Sequence, residues 1–177
     1  IIEGAIYRGS GSGATEIGHL LIDGLDPHSS EPSTLEGLAS GWSIGRRGRA
    51  ALADTPDPGS SRLYDLVAGD IPQLTAEHVG IGASQGDPLA LRLLETAHEA
   101  MARALGSAVT LLAPKRIILG GGVSLIGERL WFEPIRRRME SRVFPPFRDT
   151  YEIVPAALGE EVVIHGALAL ALDAFHQ

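Results

Sequence analysis

A carboxylate and an imidazole stand three residues apart in this sequence, as Glu16 and His19, directly after a glycine-rich stretch. A carboxylate accepts hydrogen bonds and an imidazole can donate or accept them, so the two groups could together bind several hydroxyls. The apolar run at residues 20–22 indicates that residues 16–23 form a strand or a strand with a bulge. The alternative is a surface glutamate and a histidine whose ring is satisfied within the core.

A second candidate site contains three consecutive glycines that follow a predicted buried strand at residues 117–119 and precede a predicted helix. Its residues are Gly120, Gly121, Gly122 and Val123. Backbone without Cβ atoms can approach a ligand closely, and a helix N-terminus favours anions. The segment matches neither the dinucleotide-binding fingerprint nor a P-loop, because no Lys-Ser or Lys-Thr follows it. A tight turn that binds nothing is the alternative.

Composition narrows the classes of function that these residues can serve. Hydrophobic residues make up 44% of the 177, which is enough to build a core. The formal net charge of −7 argues against nucleic-acid binding through this chain, because neutralisation of phosphates dominates that affinity. The absence of cysteine excludes disulfides and thiolate metal sites and makes a cytoplasmic location plausible. The histidines lack metal-ligand spacing, and no stretch reaches the roughly 18 apolar residues of a membrane span, so neither metal nor membrane is expected.

Sequence periodicity predicts the elements that must position these candidates. Residues 34–49 have a helical pattern, and Thr75 can cap a helix that runs towards residue 85. Asp87 and Pro88 are a strong start signal for a helix whose apolar positions keep helical spacing over about 25 residues. Further elements are predicted as a helix at about 126–143, a strand at 151–154 and a helix at about 160–175. The mixture of strands and long helices predicts a layered α/β or α+β fold.

Several short motifs are more informative together, in their order along the chain, than each is alone. They read Tyr7-Arg8-Gly9, then Gly13-Ala14-Thr15-Glu16-Ile17-Gly18-His19, then Leu35-Glu36-Gly37-Leu38-Ala39-Ser40-Gly41, then Gly86-Asp87-Pro88-Leu89-Ala90, and finally Pro114-Lys115-Arg116-Ile117-Ile118-Leu119-Gly120-Gly121-Gly122-Val123. This series resembles the ROK family, named for repressors, open reading frames and kinases, over essentially the whole chain. The E-x-G-H and I-I-L-G-G-G-V elements are its specific parts.

The resemblance implies an actin-like, two-lobed ATPase fold of ribonuclease H type, as in hexokinases. Residues 1–177 would form one α/β domain, the carboxy-terminal large lobe, with a mixed sheet and packed helices. The family's members phosphorylate hexoses or amino sugars with ATP and magnesium, or sense sugars as repressors. By the family's pattern, Glu16, His19 and Glu36 bind the sugar, and Gly120, Gly121, Gly122 and Val123 receive the adenosine side of ATP. We expect a sugar kinase. A sugar-sensing regulator is the alternative, because both keep the E-x-G-H element.

The sequence departs from the family pattern in ways that carry further expectations. The family's amino-terminal lobe, with its first phosphate loop and the Asp that acts as general base, has no counterpart among these residues. Phosphoryl transfer needs a residue that takes the hydroxyl proton, so we expect no catalytic residue in this chain and no turnover by it alone. Many members carry a three-cysteine zinc loop, whereas residues 20–34 contain no cysteine, so no zinc is expected. The family tends to dimerise through this lobe, which predicts a homodimer.

Overall fold

The computed structural model describes residues 1–11, 14–25 and 33–175 of the chain. The α-helices within these residues are α1 (Leu35–Ala39), α2 (Gly41–Ala53), α3 (Arg62–Leu66), α4 (Ala76–Ser84), α5 (Pro88–Leu112), α6 (Glu133–Glu140) and α7 (Val162–Phe175). The strands are β1 (Leu21–Ile22), β2 (Ser33–Thr34), β3 (Arg116–Leu119) and β4 (Glu152–Pro155). Helices therefore provide most of the scaffold, and short 3₁₀ turns join several of them.

The longest helix, α5, lies at the centre of the core and begins where the sequence predicts. The Asp87 carboxylate accepts a hydrogen bond from the Ala90 N–H at 2.7 Å, and Pro88 occupies the first turn. The same carboxylate accepts hydrogen bonds from the Ser61 hydroxyl and the Arg62 N–H, each at 2.8 Å, which ties α3 to α5. Helices α1, α2, α4 and α6 pack around α5. Among the largest buried side chains are Leu38, Ile44, Leu52, Leu63, Leu74, Leu94, Phe132, Ile135 and Met139.

The strands of the described residues form two separate pairs. β1 and β2 are antiparallel, with Leu21 opposite Thr34. β3 and β4 are parallel, with Ile117 opposite Ile153, and the helical segment between them is the crossover that parallel strands require. This parallel pair agrees with the predicted α/β class. The prediction that β3 is buried is wrong, because its residues alternate and Ile118 is 61% exposed.

Glycines allow α4 to pack closely against α2 and α3. A Cβ added at Gly45 would lie 3.3 Å from the Cα of Thr75, and one added at Gly48 would lie 2.7 Å from a methyl carbon of Leu74. On α4, a Cβ at Gly82 would lie 2.6 Å from a methyl carbon of Leu63. Glycine costs about 1 kcal/mol in a helix interior, so these residues are explained by the close contacts that they permit.

The helix predicted over residues 34–49 is interrupted at Ser40, which ends α1 and begins α2. The Ser40 hydroxyl accepts a hydrogen bond from the Ser43 N–H at 3.2 Å, as an N-cap does. The apolar pattern continues across this break, which explains why periodicity alone predicts a single helix.

The helix predicted over residues 126–143 is shorter than expected. A 3₁₀ turn (Gly122–Ile126) and one turn of π-helix (Glu128–Phe132) precede α6. Gly127, with φ of +95°, separates the two turns. The glycine triplet therefore leads into a 3₁₀ turn rather than an α-helix, so the predicted anion-favouring helix N-terminus is wrong.

The final helix, α7, starts at Val162, close to the predicted position. Its apolar side chains face outwards: Val163 is 75% exposed, Ile164 64% and Leu168 58%. α7 follows directly on the 3₁₀ turn Gly159–Glu161, and its contacts with that turn are local. None of the helices in the described part of the chain combines the length and apolarity needed to cross a lipid bilayer.

Candidate functional site

Glu16 and His19 lie on a tight turn, not on the predicted strand. The turn is a 3₁₀ turn (Ile17–His19) in which the His19 N–H donates to the Glu16 carbonyl at 3.1 Å. Of the strand predicted at residues 16–23, only the part at Leu21–Ile22 (β1) pairs with another strand. The strand prediction is wrong for Glu16 and His19, because the E-x-G-H residues form hydrogen bonds within their own turn. Residues three apart eclipse one another in a 3₁₀ turn, so this arrangement favours Glu16 and His19 on one side, whereas a strand would place them on opposite faces.

The backbone that presents Glu16 is strained. Thr15 has φ of +66°, a left-handed conformation that is an outlier for a β-branched residue. Glu16 itself, with φ −68° and ψ 72°, is the centre of an inverse γ-turn, in which the Ile17 N–H donates to the Thr15 carbonyl at 2.7 Å. Strain of this kind costs on the order of 1–3 kcal/mol and tends to be found at functional sites.

Glu36 lies beside this turn. It occupies the first turn of α1, which Thr34 caps by accepting the Gly37 N–H at 3.0 Å. A Cβ added at Gly18 would lie 3.5 Å from the Cβ of Glu36. The Leu35 N–H also donates to the Leu20 carbonyl at 2.8 Å, which fastens α1 to the chain just after His19. The structure therefore brings together three predicted residues from two separate motifs.

All three of these side chains, on Glu16, His19 and Glu36, are exposed. Within the described residues none of them makes a side-chain hydrogen bond or ion pair, so their polar atoms are available to a ligand. The described residues also contain no group of three or more potential metal ligands. His28, in the segment predicted to lack zinc, lies outside the described residues.

Two of the predicted nucleotide-side residues, Gly122 and Val123, line an open cleft of about 900 Å³ between α2, α4 and the 3₁₀ turn Gly122–Ile126. The other residues that line it are Gly41, Trp42, Gly45, Arg49, Thr75, Ala76, Glu77, Gly80, Ile81, Ser84, Leu125 and Ile126. Glu16, His19 and Glu36 are not among them, so the two candidate sites are distinct regions of the surface.

The structure explains each of the three consecutive glycines differently. A Cβ at Gly120 would lie 3.2 Å from the Cβ of Ala156, so this glycine permits close packing on the chain after β4. Gly121 has φ of +84°, which an L side chain rarely adopts. Gly122 is required neither by close packing nor by a positive φ, since a Cβ there would meet open space. Because Gly122 lines the cleft, its missing side chain leaves backbone open to whatever enters.

The cleft contains residues that sequence reasoning missed. Trp42 and Arg49 come from α2, and Glu77 comes from α4. The Arg49 guanidinium donates to the Leu74 carbonyl at 2.6 Å, which ties α2 to the chain just before α4. Only the packing of α2 on α4 brings these residues to Gly122. The signal available in the sequence is a tryptophan and an arginine four residues apart, Trp42 and Arg46, in a helical pattern.

Among the described residues, the titratable groups with perturbed pKa values lie outside both candidate sites, and two of them, His98 and Asp87, are buried in the core. Burial lowers the pKa of His98 to about 4, so its ring is neutral and Nε2–H donates to the Leu130 carbonyl at 2.8 Å. Burial alone would raise the pKa of Asp87, but the hydrogen bonds from Ala90, Ser61 and Arg62 together lower it below its usual value. Both groups therefore serve the packing of α5.

Comparison with known proteins identifies the family. The family model for ROK matches residues 1–174, so the chain belongs to the ROK family. Its fold is the α/β, actin-like ATPase fold of ROK sugar kinases. The chain is 31% identical to a glucokinase of Thermotoga maritima over 172 residues, which are 96% of this chain and 53% of the relative. It spans about half the length of the curated relatives that it matches.

Solved structures of the same family have the same fold. A ROK family glucokinase from Streptomyces griseus, in complex with glucose and AMPPNP, aligns over 91% of this chain and 52% of its own, with a TM-score of 0.75 and 27% identity. A ROK family transcriptional regulator aligns over 88% of this chain and 37% of its own, with a TM-score of 0.68 and 22% identity.

Proposed function

We propose that residues 1–177 are the carboxy-terminal lobe of an ATP-dependent sugar kinase, which transfers the γ-phosphoryl group of ATP to a hydroxyl of a hexose or amino sugar. The observation that carries this proposal is the contact between Gly18 and Glu36, which places the turn of Glu16 and His19 beside Glu36. These three exposed residues are called the polar cluster below. The match to glucokinases, and to a glucokinase structure with glucose and AMPPNP, supports the same function.

In this proposal the polar cluster binds the sugar. The carboxylates of Glu16 and Glu36 accept hydrogen bonds from sugar hydroxyls, and the His19 ring donates or accepts one. The strained backbone at Thr15 supports the role of Glu16, because such strain persists where the fold holds a residue for a purpose. His19 has no zinc to bind in this proposal and serves the sugar alone.

The cleft beside α2 takes the adenosine part of ATP. Its volume of about 900 Å³ suits a nucleotide, and Gly122 leaves its backbone open to the ligand. ATP would supply the phosphoryl group and would carry Mg²⁺ on its phosphates. We assign no metal ligand and no catalytic residue to this chain, so the base that takes the hydroxyl proton would come from elsewhere in the protein.

A sugar-sensing regulator is the second candidate, and the comparisons favour it less. The regulator structure is 22% identical to this chain and supports the fold alone, whereas the glucokinases of Thermotoga maritima and Streptomyces griseus are 31% and 27% identical. A cytoplasmic location and a homodimer belong to the proposal too. They are motivated by the absence of cysteine and by the apolar surface of α7.

Two substitutions separate the two proposed sites. Gly122→Leu should abolish AMPPNP binding while glucose binding persists, because the new side chain enters the cleft without meeting the protein at its Cβ. Glu16→Ala should weaken glucose binding and leave AMPPNP binding intact. Calorimetric titration of the full-length protein that carries these residues, with each ligand, measures both effects. Wild-type full-length protein that binds neither glucose, nor another hexose or amino sugar, nor AMPPNP would overturn the proposal.

A further inference from the structure

Trp42 is an exposed aromatic residue whose role the core does not explain. Its side chain is 70% exposed, on the first turn of α2, and it lines the cleft together with Gly122 and Val123. The other tryptophan of the chain, Trp131, is 3% exposed and stacks at a tilt on His98, with ring centroids 5.4 Å apart. Trp131 therefore has a packing role, whereas Trp42 presents most of its indole to solvent at the edge of a cleft.

The orientation of Trp42 is supported from its own helix. The guanidinium carbon of Arg46, one helical turn later, lies over the indole 5.3 Å from the ring centroid. A cation over an indole face is attracted by the ring quadrupole, and the contact restrains the side chain. Trp42 lines the cleft and Arg46 does not. Arg46 therefore supports the Trp42 ring from outside the cleft.

The N-terminal end of α2 packs against α4 and against the turn that follows the glycine triplet. A Cβ at Gly41 would lie 3.4 Å from a methyl carbon of Val123 and 3.8 Å from the Cβ of Ala76. Trp42 is thus the next residue after a close contact between α2, α4 and the turn that follows the glycine triplet. Its position relative to the open backbone of Gly122 is set by packed elements and not by a free loop.

We propose that Trp42 is the residue on which the base of the bound nucleotide stacks. The inference rests on the proposed function, in which the cleft receives adenosine, and it adds the residue that holds the base. Every nucleobase has a π face, and stacking on an aromatic ring is tolerant of base identity. Trp42 therefore contributes affinity for the base, while the backbone at Gly122 limits what fits beside it.

The test uses the two tryptophans of the 177-residue chain as separate reporters. Adenosine and ATP should change the fluorescence of wild-type chain, and the change should disappear in Trp42→Phe, in which Trp131 alone emits. By calorimetry Trp42→Ala should weaken adenosine binding by about 5- to 150-fold, the range measured when a stacking aromatic is removed. Trp42→Phe should retain most of the affinity, because a phenyl ring still stacks.

Two controls distinguish stacking from other effects. Glucose, which the proposed function assigns to the other site, should bind Trp42→Ala and wild type equally. Leu111→Ala, at an 82% exposed position near the end of α5, should bind adenosine as wild type does. Equal adenosine affinity of wild type and Trp42→Ala would overturn the stacking role and leave the nucleotide site in place. Wild-type chain that binds neither adenosine nor ATP would overturn the nucleotide site itself.

Discussion

Gly18 lies directly against Glu36: a Cβ added at Gly18 would be 3.5 Å from the Cβ of Glu36 and 4.0 Å from one of its carboxylate oxygens. The turn that carries Glu16 and His19 therefore lies beside the first turn of α1, at ordinary van der Waals distance. This contact is the structural basis for treating the three polar side chains as one site.

Glu16→Ala should weaken sugar binding more than Glu36→Ala does, because the left-handed Thr15 and the γ-turn at Glu16 hold the backbone of Glu16 in one conformation. A hydrogen bond to a charged group is worth roughly 1.5–3 kcal/mol, which corresponds to about a 10- to 150-fold loss of affinity. Calorimetry with glucose measures the loss in each variant. Glu140→Ala removes another exposed carboxylate, at the end of α6, and is the matched control. Wild-type affinity in Glu16→Ala would refute the assignment.

The purified protein should contain no zinc. Residues 20–34 provide no thiolates, and the described residues hold no cluster of three or more potential ligands. Elemental analysis after dialysis against a chelator measures the metal content. Zinc at one equivalent that survives the dialysis would show that histidine and carboxylate ligands in this segment form a site that the sequence does not reveal.

Acid should destabilise the chain through His98. Burial disfavours the charged ring and lowers the pKa of His98 from its ordinary value of 6.5 to about 4 in the folded state. The unfolded chain therefore binds the proton more readily between these values. The stability that the neutral ring contributes is fully present above pH 6.5 and is lost as the pH falls towards 4, by about 3 kcal/mol.

Denaturant unfolding at about pH 7 and about pH 4 checks this effect. Other groups titrate in the same range, so the informative quantity is the difference between wild type and His98→Asn, which should lose less stability on acidification. His165→Asn, on the exposed surface of α7, is the matched control and should behave like wild type. Equal acid sensitivity in wild type and His98→Asn would contradict the assignment.

The sequence predicts some elements well because their signals are local. Asp87 and Pro88 start α5 by capping and by backbone preference, and those effects do not depend on the rest of the fold. Thr75 caps α4 for the same reason. The break at Ser40 is missed because the apolar pattern runs through it.

The residues of the candidate sites can be predicted from the sequence only in part. Glu16, His19 and Glu36 are found because they belong to short motifs, but the contact that unites them depends on how the turn packs on α1. Trp42 joins the nucleotide-side cleft only because glycines let α2 approach α4. No periodicity or spacing in the sequence reports such a packing contact.

The chain should associate with itself at micromolar concentration. Val163, Ile164 and Leu168 on α7 are exposed, and apolar patches beyond a few hundred Å² usually find a partner. Sedimentation velocity measures the assembly, and Leu168→Glu should shift it towards monomer by placing a charge on the patch. Leu111→Glu, which changes an exposed leucine elsewhere, is the control. A clean wild-type monomer that binds no apolar dye would contradict this prediction.

The measurement that tests the central claim most directly is turnover by the full-length gene product that carries these residues. It should be incubated with ATP, Mg²⁺ and a panel of hexoses and amino sugars, and the products analysed by mass spectrometry. The proposal predicts a sugar phosphate formed in equal amount to ADP, with turnover sharply reduced by Glu16→Ala and by Gly122→Leu. A full-length protein that binds sugar and forms no sugar phosphate would contradict the kinase assignment and favour the sugar-sensing regulator.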